Sequence, residues 1–287
     1  MTKSYSPSEL ECWVDCPLKW QFRYDRKLRP INAVTAGPLV SGLAVHALVE
    51  HRVKVGITAT ERQAFRALVN AADRDARLEI NEEELTEQYQ DVGKKVSKYV
   101  AGVMRAVGKV PEWVWEEKNW HAEEPIRGHL GGVDVHGIPD LWRFVEEEEF
   151  GYEIIELLDV KTTENSPMDY VLWTPQLRVY ASMLSDLHGK TVVYRALTLP
   201  TSAGKPPALS PQLVLTHSAL ARVEWQVCNI AGDMVRSQEA GVVIPREGRH
   251  CNYCDFNNIC KTRVMGGDAE GFIAENYYVR RRSDELS

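Results

Sequence analysis

The sequence has no apolar run near the roughly 18–20 residues that a membrane-spanning helix requires, so no such span and no membrane partner is expected. Its opening, MTKSYSPSELE, lacks the apolar core of a secretory signal, which makes the cytoplasm of a prokaryotic or phage-infected cell the expected location. There are no internal repeats and no low-complexity segment. Basic charge is not in excess: 34 Lys and Arg face 41 Asp and Glu, for a net charge of −7. That balance excludes indiscriminate coating of polyanions. It leaves room for a local basic surface, since residues 1–30 carry six basic side chains against four acidic ones. Cysteine is also scarce. Six in a cytosolic chain of 287 residues do not make a disulfide framework, and metal binding is the better expectation where spacing agrees.

What is present is an ordinary globular composition, 44% apolar and 26% charged, with length for a full core. Ser6-Pro7-Ser8-Glu9 reads as a helix start, with Ser6 as cap, Pro7 at the first position and Glu9 completing a capping box. Cys16-Pro17 should end that helix and begin another through Trp20, Phe22 and Tyr24. Residues 40–54 read as a helix with His46 and Glu50 on one face, and 58–80 and 83–107 as two more. Past Pro111 the character changes. Segments 113–121, 129–137, 139–145 and 152–161 read as an antiparallel meander. A helix over 172–187, strands at 191–199 and 211–216, and a helix over 217–239 follow. The acidic tract Glu146–Glu149 reads as solvated surface. The expected fold class is α/β (α+β): a mixed central sheet flanked by helices, with a helical N-terminal insertion and a cysteine cluster joining both ends. Three parts are expected within one integrated domain: a helical part over 1–110, a core over 111–240, and a cysteine-bearing segment and tail over 241–287.

Pro139-Asp140 follows the β-branched run Val133, Val135, Ile138, and Asp159-Val160-Lys161 follows Ile154, Ile155, Leu157, Leu158. Two strands that deliver two carboxylates and a lysine to one place suit phosphodiester chemistry. Carboxylates hold a hard divalent cation such as Mg2+ or Mn2+. The ion lowers the pKa of bound water and offsets phosphate charge, and a lysine orients that water or neutralises developing charge. Asp159 and Lys161 lie two apart and so on one strand face. A structural ion pair is the alternative, although an unpaired carboxylate after an apolar strand would be costly to bury. Asp140 could equally cap a turn after Gly137, and His46 could be structural.

Cys251-x2-Cys254-x5-Cys260 is a tight trio, and the x2 spacing lets two thiolates reach one centre from a single turn. A fourth ligand would come from Cys12, Cys16 or Cys228. Cys16, at a helix junction, is the choice. Cys12 reads as a small core residue, and Cys228, mid-helix among apolar neighbours, as a buried free cysteine. By spacing alone, structural zinc and an iron–sulfur cluster stand level.

Six strings in order carry a resemblance: Ser4-Tyr5-Ser6-Pro7-Ser8 with Cys16-Pro17, Gly42-x3-His46, Gly137-Ile138-Pro139-Asp140, Asp159-Val160-Lys161-Thr162, Gln176-x3-Tyr180, and the closing cysteine trio. Together they resemble the RecB-type branch of the PD-(D/E)xK nuclease superfamily, more narrowly its iron–sulfur exonucleases, which include the CRISPR-associated exonucleases and the AddB nuclease domain. The likeness spans Ser4 to Cys260 and is weakest over 58–108. It implies that His46, Asp140, Asp159 and the backbone carbonyl of Val160 bind a divalent ion, Mg2+ or Mn2+. It implies that Lys161 activates the attacking water and that Gln176 and Tyr180 order the site and touch the strand. Cys16, Cys251, Cys254 and Cys260 would hold a 4Fe-4S cluster. Glu116 or Glu117 would support the site from an adjacent strand, and Trp142 or Trp173 would be the tryptophans nearest the substrate.

The expectation is therefore a metal-dependent DNA exonuclease acting at single-stranded ends in recombination, repair, or CRISPR or phage DNA processing. No Gly-x4-Gly-Lys-Ser/Thr loop is present, so unwinding would come from a helicase or another recombination or CRISPR partner. Two rivals stand beside it. One is a non-catalytic module that binds nucleic acid or a partner on the same fold. The other is the same nuclease with zinc in place of the cluster.

Overall fold

The computed structural model describes residues 3–31, 37–56, 101–116, 119–147, 151–163, 165–168, 171 and 175–279. The elements in chain order are α1 (Pro7–Asp15), α2 (Pro17–Trp20), β1 (Leu28–Pro30), α3 (Gly37–Val55), α4 (Glu112–Glu116), β2 (His121–Ala122), β3 (Ile126–Leu130), β4 (Val133–Gly137), β5 (Leu141–Glu147), β6 (Tyr152–Lys161), α5 (Pro175–His188), β7 (Val192–Thr198), β8 (Ala208–Leu209), β9 (Leu213–Val214), α6 (His217–Ala240), α7 (Asn257–Val264), α8 (Ala269–Asn276) and β10 (Tyr277–Val279). Among the described residues no helix is long and apolar enough to cross a membrane. The helices expected over 58–80 and over most of 83–107 lie outside the described residues. The last stretch of the second, 101–108, is helical.

The chain divides into two compact units. The larger comprises Thr35–Gly128 and Gly137–Leu220. Its sheet runs β2-β5-β6-β7-β8, with β9 also on β7. β5 and β6 pair antiparallel and β6 and β7 parallel, so the sheet is mixed as expected. Ile154 to Val160 are all buried, the pattern of a central strand covered on both faces. On one face Ala44, Val45, Leu48 and Val49 of α3 pack with Leu141, Leu158, Val160, Leu197 and Leu199. α5 buries Leu177, Tyr180, Ala181, Met183 and Leu184. Side chains alternate along β6, so Asp159 and Lys161 point away from the face of Leu158 and Val160. Glu156 is bridged by two arginines of neighbouring strands, Arg143 at 2.8 Å and Arg195 at 2.9 Å, which compensates a buried charge.

Two strand expectations are corrected. Segment 113–121 holds the short helix α4 followed by the two-residue β2. Trp113-Val114-Trp115 alternates like a strand, but the N–H of Val114 closes a turn onto the carbonyl of Pro111 at 3.0 Å, and Val114 alone is fully buried. Segment 129–137 is not one strand: Gly131 and Gly132, at φ +58° and +85°, form the turn between β3 and β4. Both turn positions favour glycine.

The smaller unit comprises Met1–Val34, His129–His136 and Ala221–Ser287. Ser6 caps α1 as expected, accepting from the N–H of Glu9. The buried carboxylate of Glu9 accepts from the indole of Trp20 at 3.1 Å. Cys16 is extended at φ −161° and Pro17 opens α2, the break that its sequence implied. β1 and β10 pair antiparallel, Leu28 opposite Val279, so the two ends of the chain share a ribbon. Cys16, Leu18, Phe22, Leu28, Phe256, Ile259, Ile273 and Tyr277 form one buried cluster. Cys228, expected to be buried, is exposed. The buried stripe of α6 runs through Val223, Val227, Ala231 and Met234, and Cys228 falls beside it.

Candidate active site

Asp140 sits in the bend just before β5, and Asp159 and Lys161 at the end of β6. The long apolar run of β6 fixes the strand, and its register puts Leu158 opposite Leu141. Asp140 is thereby brought against the next turn of chain, where its Oδ2 accepts from the N–H of Val160 at 2.7 Å. The Nζ of Lys161 is 2.9 Å from Asp159 Oδ1 and 3.9 Å from Asp140 Oδ2. α3 supplies His46, whose Nδ1 is 3.2 Å from Asp140 Oδ1. A Cβ on Gly42 would lie 2.9 Å from Thr162 Oγ1, so the glycine lets this helix approach the end of β6. On α5, the amide of Gln176 donates to the hydroxyl of Tyr180 at 3.4 Å, and the backbone of Ile138 also hydrogen-bonds that hydroxyl. His46, Asp140, Asp159, Val160 and Lys161 are thus in one place, and Gln176 and Tyr180 adjoin the loop that leads to Asp140.

One residue escaped the sequence reading. Glu123, just after β2, holds its Oε1 3.4 Å from His46 Nδ1. Among the described residues, only His46, Glu123 and Asp140 bring three ligand atoms within 4.8 Å of one another. Glu116 was expected to support the site from a strand. It lies instead on α4 and is exposed, and Glu117 lies outside the described residues. Trp142 cannot stack on a base, because it is 5% exposed with His121 stacked on it at 3.9 Å. Trp173 lies outside the described residues.

The electrostatics are those of a site built around charge. Burial pulls His46 down, but the charge and hydrogen bond of Asp140 and the bond with Glu123 prevail and hold it up, to about 10. Burial pushes Asp159 up to about 6, against the ammonium of Lys161 and with the repulsion of Asp140. Burial also raises Asp140, but His46 and Lys161 outweigh it and hold that carboxyl below its ordinary value. Asp159 Oδ2 is buried with no hydrogen-bond partner. A buried lone acceptor of this kind is costly unless a cation meets it. Carboxylate oxygens and an imidazole nitrogen are a donor set for Mg2+ or Mn2+, so the residues fit such an ion.

In the smaller unit Cys16, Cys251, Cys254 and Cys260 line one cavity of about 200 Å³. Leu18, Phe22 and Phe256 form apolar wall, and Lys19 and Arg263 bring positive charge. Burial pushes the thiols of Cys254 and Cys260 up, and the neighbouring thiols add to this. Cys12 is buried, its thiol pushed up to about 11 by burial, as a core residue would be.

The PD-(D/E)XK nuclease superfamily is the family whose model matches the chain, over residues 4–261. No curated protein matches it. Among solved structures, the chain is similar to a "Putative exonuclease" from Eubacterium rectale, at 13% identity over 79% of this chain and 91% of that one, TM-score 0.38. It is also similar to the solved protein SSO0001, at 17% identity over 60% of this chain and 78% of that one, TM-score 0.32.

Proposed function

This chain belongs to the PD-(D/E)XK nuclease superfamily, and from that premise we propose a divalent-metal-dependent deoxyribonuclease that works as an exonuclease on single-stranded ends. The observation that carries the reading is the meeting of His46, Asp140, Asp159 and Lys161 around a buried, unpartnered carboxylate oxygen. His46, Asp140, Asp159 and the carbonyl of Val160 would hold Mg2+ or Mn2+. The ion, when bound, lowers the pKa of a water and offsets charge on the phosphate. The Lys161 ammonium, 2.9 Å from Asp159, orients the attacking water and neutralises charge as it develops. The N–H of Val160 holds one oxygen of Asp140 in place, and His46 faces the other, where the two would hold the ion together. Gln176 and Tyr180 steady the loop before Asp140 and contact the strand.

The test is cleavage of end-labelled single and double strands with Mg2+ or Mn2+, and with chelator. Progressive shortening of single strands that needs the ion and disappears in Asp159→Ala is expected. Equal cleavage by Asp159→Ala would sink the assigned site. Tight DNA binding without cleavage by the native chain would favour a non-catalytic module. The reading places the chain in the cytoplasm, in recombination, repair, or CRISPR or phage DNA processing, with a helicase or recombination partner to open duplex.

The four cysteines around one cavity support a structural 4Fe-4S cluster over zinc. Tetrahedral zinc with Zn–S bonds of about 2.3 Å draws its sulfurs to about 3.8 Å of one another. The 200 Å³ of space that the four cysteines line suits a larger centre. Protein purified without oxygen should be brown, absorbing near about 400 nm. Colourless protein with zinc and no iron would overturn the cluster.

A further inference from the structure

We infer that Glu123 is a further ligand of the catalytic ion, one that the sequence motifs do not contain. The inference rests on the metal-dependent reading of the site. The two oxygens of Asp140 face different partners. Oδ2 is committed to the N–H of Val160 at 2.7 Å. Oδ1 faces His46, and one ligand atom each of His46, Glu123 and Asp140 lie within 4.8 Å of one another. His46 Nδ1 lies 3.2 Å from Asp140 Oδ1 and 3.4 Å from Glu123 Oε1. Neighbouring vertices of an octahedron with bonds of about 2.1 Å are about 3 Å apart. The two separations are thus close to those of adjacent ligands on one small hard cation. The neighbouring Asp159 keeps its Oδ2 buried with no hydrogen-bond partner, an acceptor that a bound cation would satisfy.

The backbone is set to present Glu123 there. Its N–H donates to the carbonyl of Asp140 at 3.0 Å, which ties the turn after β2 to the bend that carries Asp140. Its φ is +50°, a left-handed conformation that glycine or asparagine would adopt with less strain. A turn alone would be better served by glycine, and a carboxylate is found in its place. With Glu123 the ion has three carboxylates and an imidazole. It should bind more tightly than with two, and fewer positions remain for water and phosphate.

The turn and the carboxylate can be separated. Glu123→Gly keeps, and relaxes, the left-handed backbone while removing the ligand. Glu123→Gln keeps the shape and removes the charge. Mn2+ affinity is measured by electron paramagnetic resonance on the full chain, beside thermal unfolding with chelator and the metal dependence of cleavage. The expected result is Mn2+ binding weakened about tenfold or more in both variants. Unfolding temperature in chelator should be unchanged or higher for Glu123→Gly, and cleavage should recover at high Mn2+. Native-like Mn2+ affinity in both variants would overturn the inference. A native chain that binds no Mn2+ and cuts nothing would fail the nuclease reading itself. A native chain that cuts, beside variants with unchanged affinity, fails only the role of Glu123.

Discussion

The two units each gather residues fit for a metal, and they do it in opposite ways. In the larger unit the ligands are oxygens and an imidazole, crowded so closely that His46 and Lys161 stand in as cations among the carboxylates. In the smaller unit they are thiols spread around an apolar-walled cavity. Cys16 comes from one end of the chain and Cys251, Cys254 and Cys260 from the other, beside the ribbon that joins Leu28 to Val279. A centre there would close a very long loop and contribute to folding. A metal at the carboxylate site relieves charge on a strand that its apolar run already holds. The lesson is that metal loss should act on the fold in one unit and on the chemistry in the other.

The sharpest way to break this comparison is to strike the carboxylate site. Lys161→Ala and Asp159→Asn should each reduce cleavage by about 10²–10³-fold or more, with circular dichroism unchanged. Unfolding of either variant would mean that the pair is structural.

Next in size is the cysteine unit. Cys254→Ser should remove the colour and lower stability by an amount on the order of several kcal/mol, seen as a lower unfolding temperature, while Cys12→Ser leaves the colour in place. A Cys254→Ser chain as stable as the native one would erase the contrast between the two units.

The third test uses pH on metal-free protein. Asp159 titrates near 6 when folded, against 3.8 ordinarily. The protonated folded form is favoured below about pH 4, and that contribution is lost as pH rises through about 6. Asp159→Asn should therefore gain stability over the native chain across that interval in urea titrations. His46 acts with the same pH sign over a higher interval. Its folded value is about 10 against 6.5, so its contribution is full below about pH 6.5 and fades as pH rises through about 10. Asp140, held low, contributes above its ordinary value of 3.8 and loses that as pH falls below it. A flat difference between native and Asp159→Asn from pH 4 to 7 would contradict the burial of that carboxyl.

The smallest effects sharpen the smaller unit. A Cβ on Gly131 would lie 2.5 Å from the carbonyl oxygen of Glu224 at φ +58°, so Gly131→Ala should cost about 1–3 kcal/mol. Ser6→Ala removes the cap of the helix that leads to Cys16 and should cost about 1 kcal/mol. Thermal unfolding should rank them in that order, with cleavage rates at low temperature unaffected.

Local chemistry made several of these features legible in advance. The apolar pairs Ile154-Ile155 and Leu157-Leu158 with Val160 mark a buried strand, because a central strand covered on both faces hides adjacent side chains. Ser6-Pro7 and Cys16-Pro17 marked helix boundaries because a cap and a missing N–H act within a few residues. Where the structure departs, the deciding contact is distant or the pattern is ambiguous. Trp113-Val114-Trp115 alternates in burial as a strand would, and the turn that the N–H of Val114 closes onto the carbonyl of Pro111 makes it helical. Cys228 and Val227 look alike in sequence, and the packing of α6 buries one and exposes the other. The partner of β1 lies some 250 residues away by number in Tyr277–Val279, with nothing local to point to it.

By itself, then, the sequence determined the strands and helices that carry the chemistry and the order of His46, Asp140, Asp159 and Lys161, because those rest on periodicity, caps and short spacings. Tertiary structure alone decided which charge meets which. Glu123 shows this: nothing around it in sequence marks it, and a left-handed turn tied to Asp140 brings its carboxylate to His46 across 77 positions. Electrostatic contacts act through space over a few ångströms, so only the folded chain selects their members.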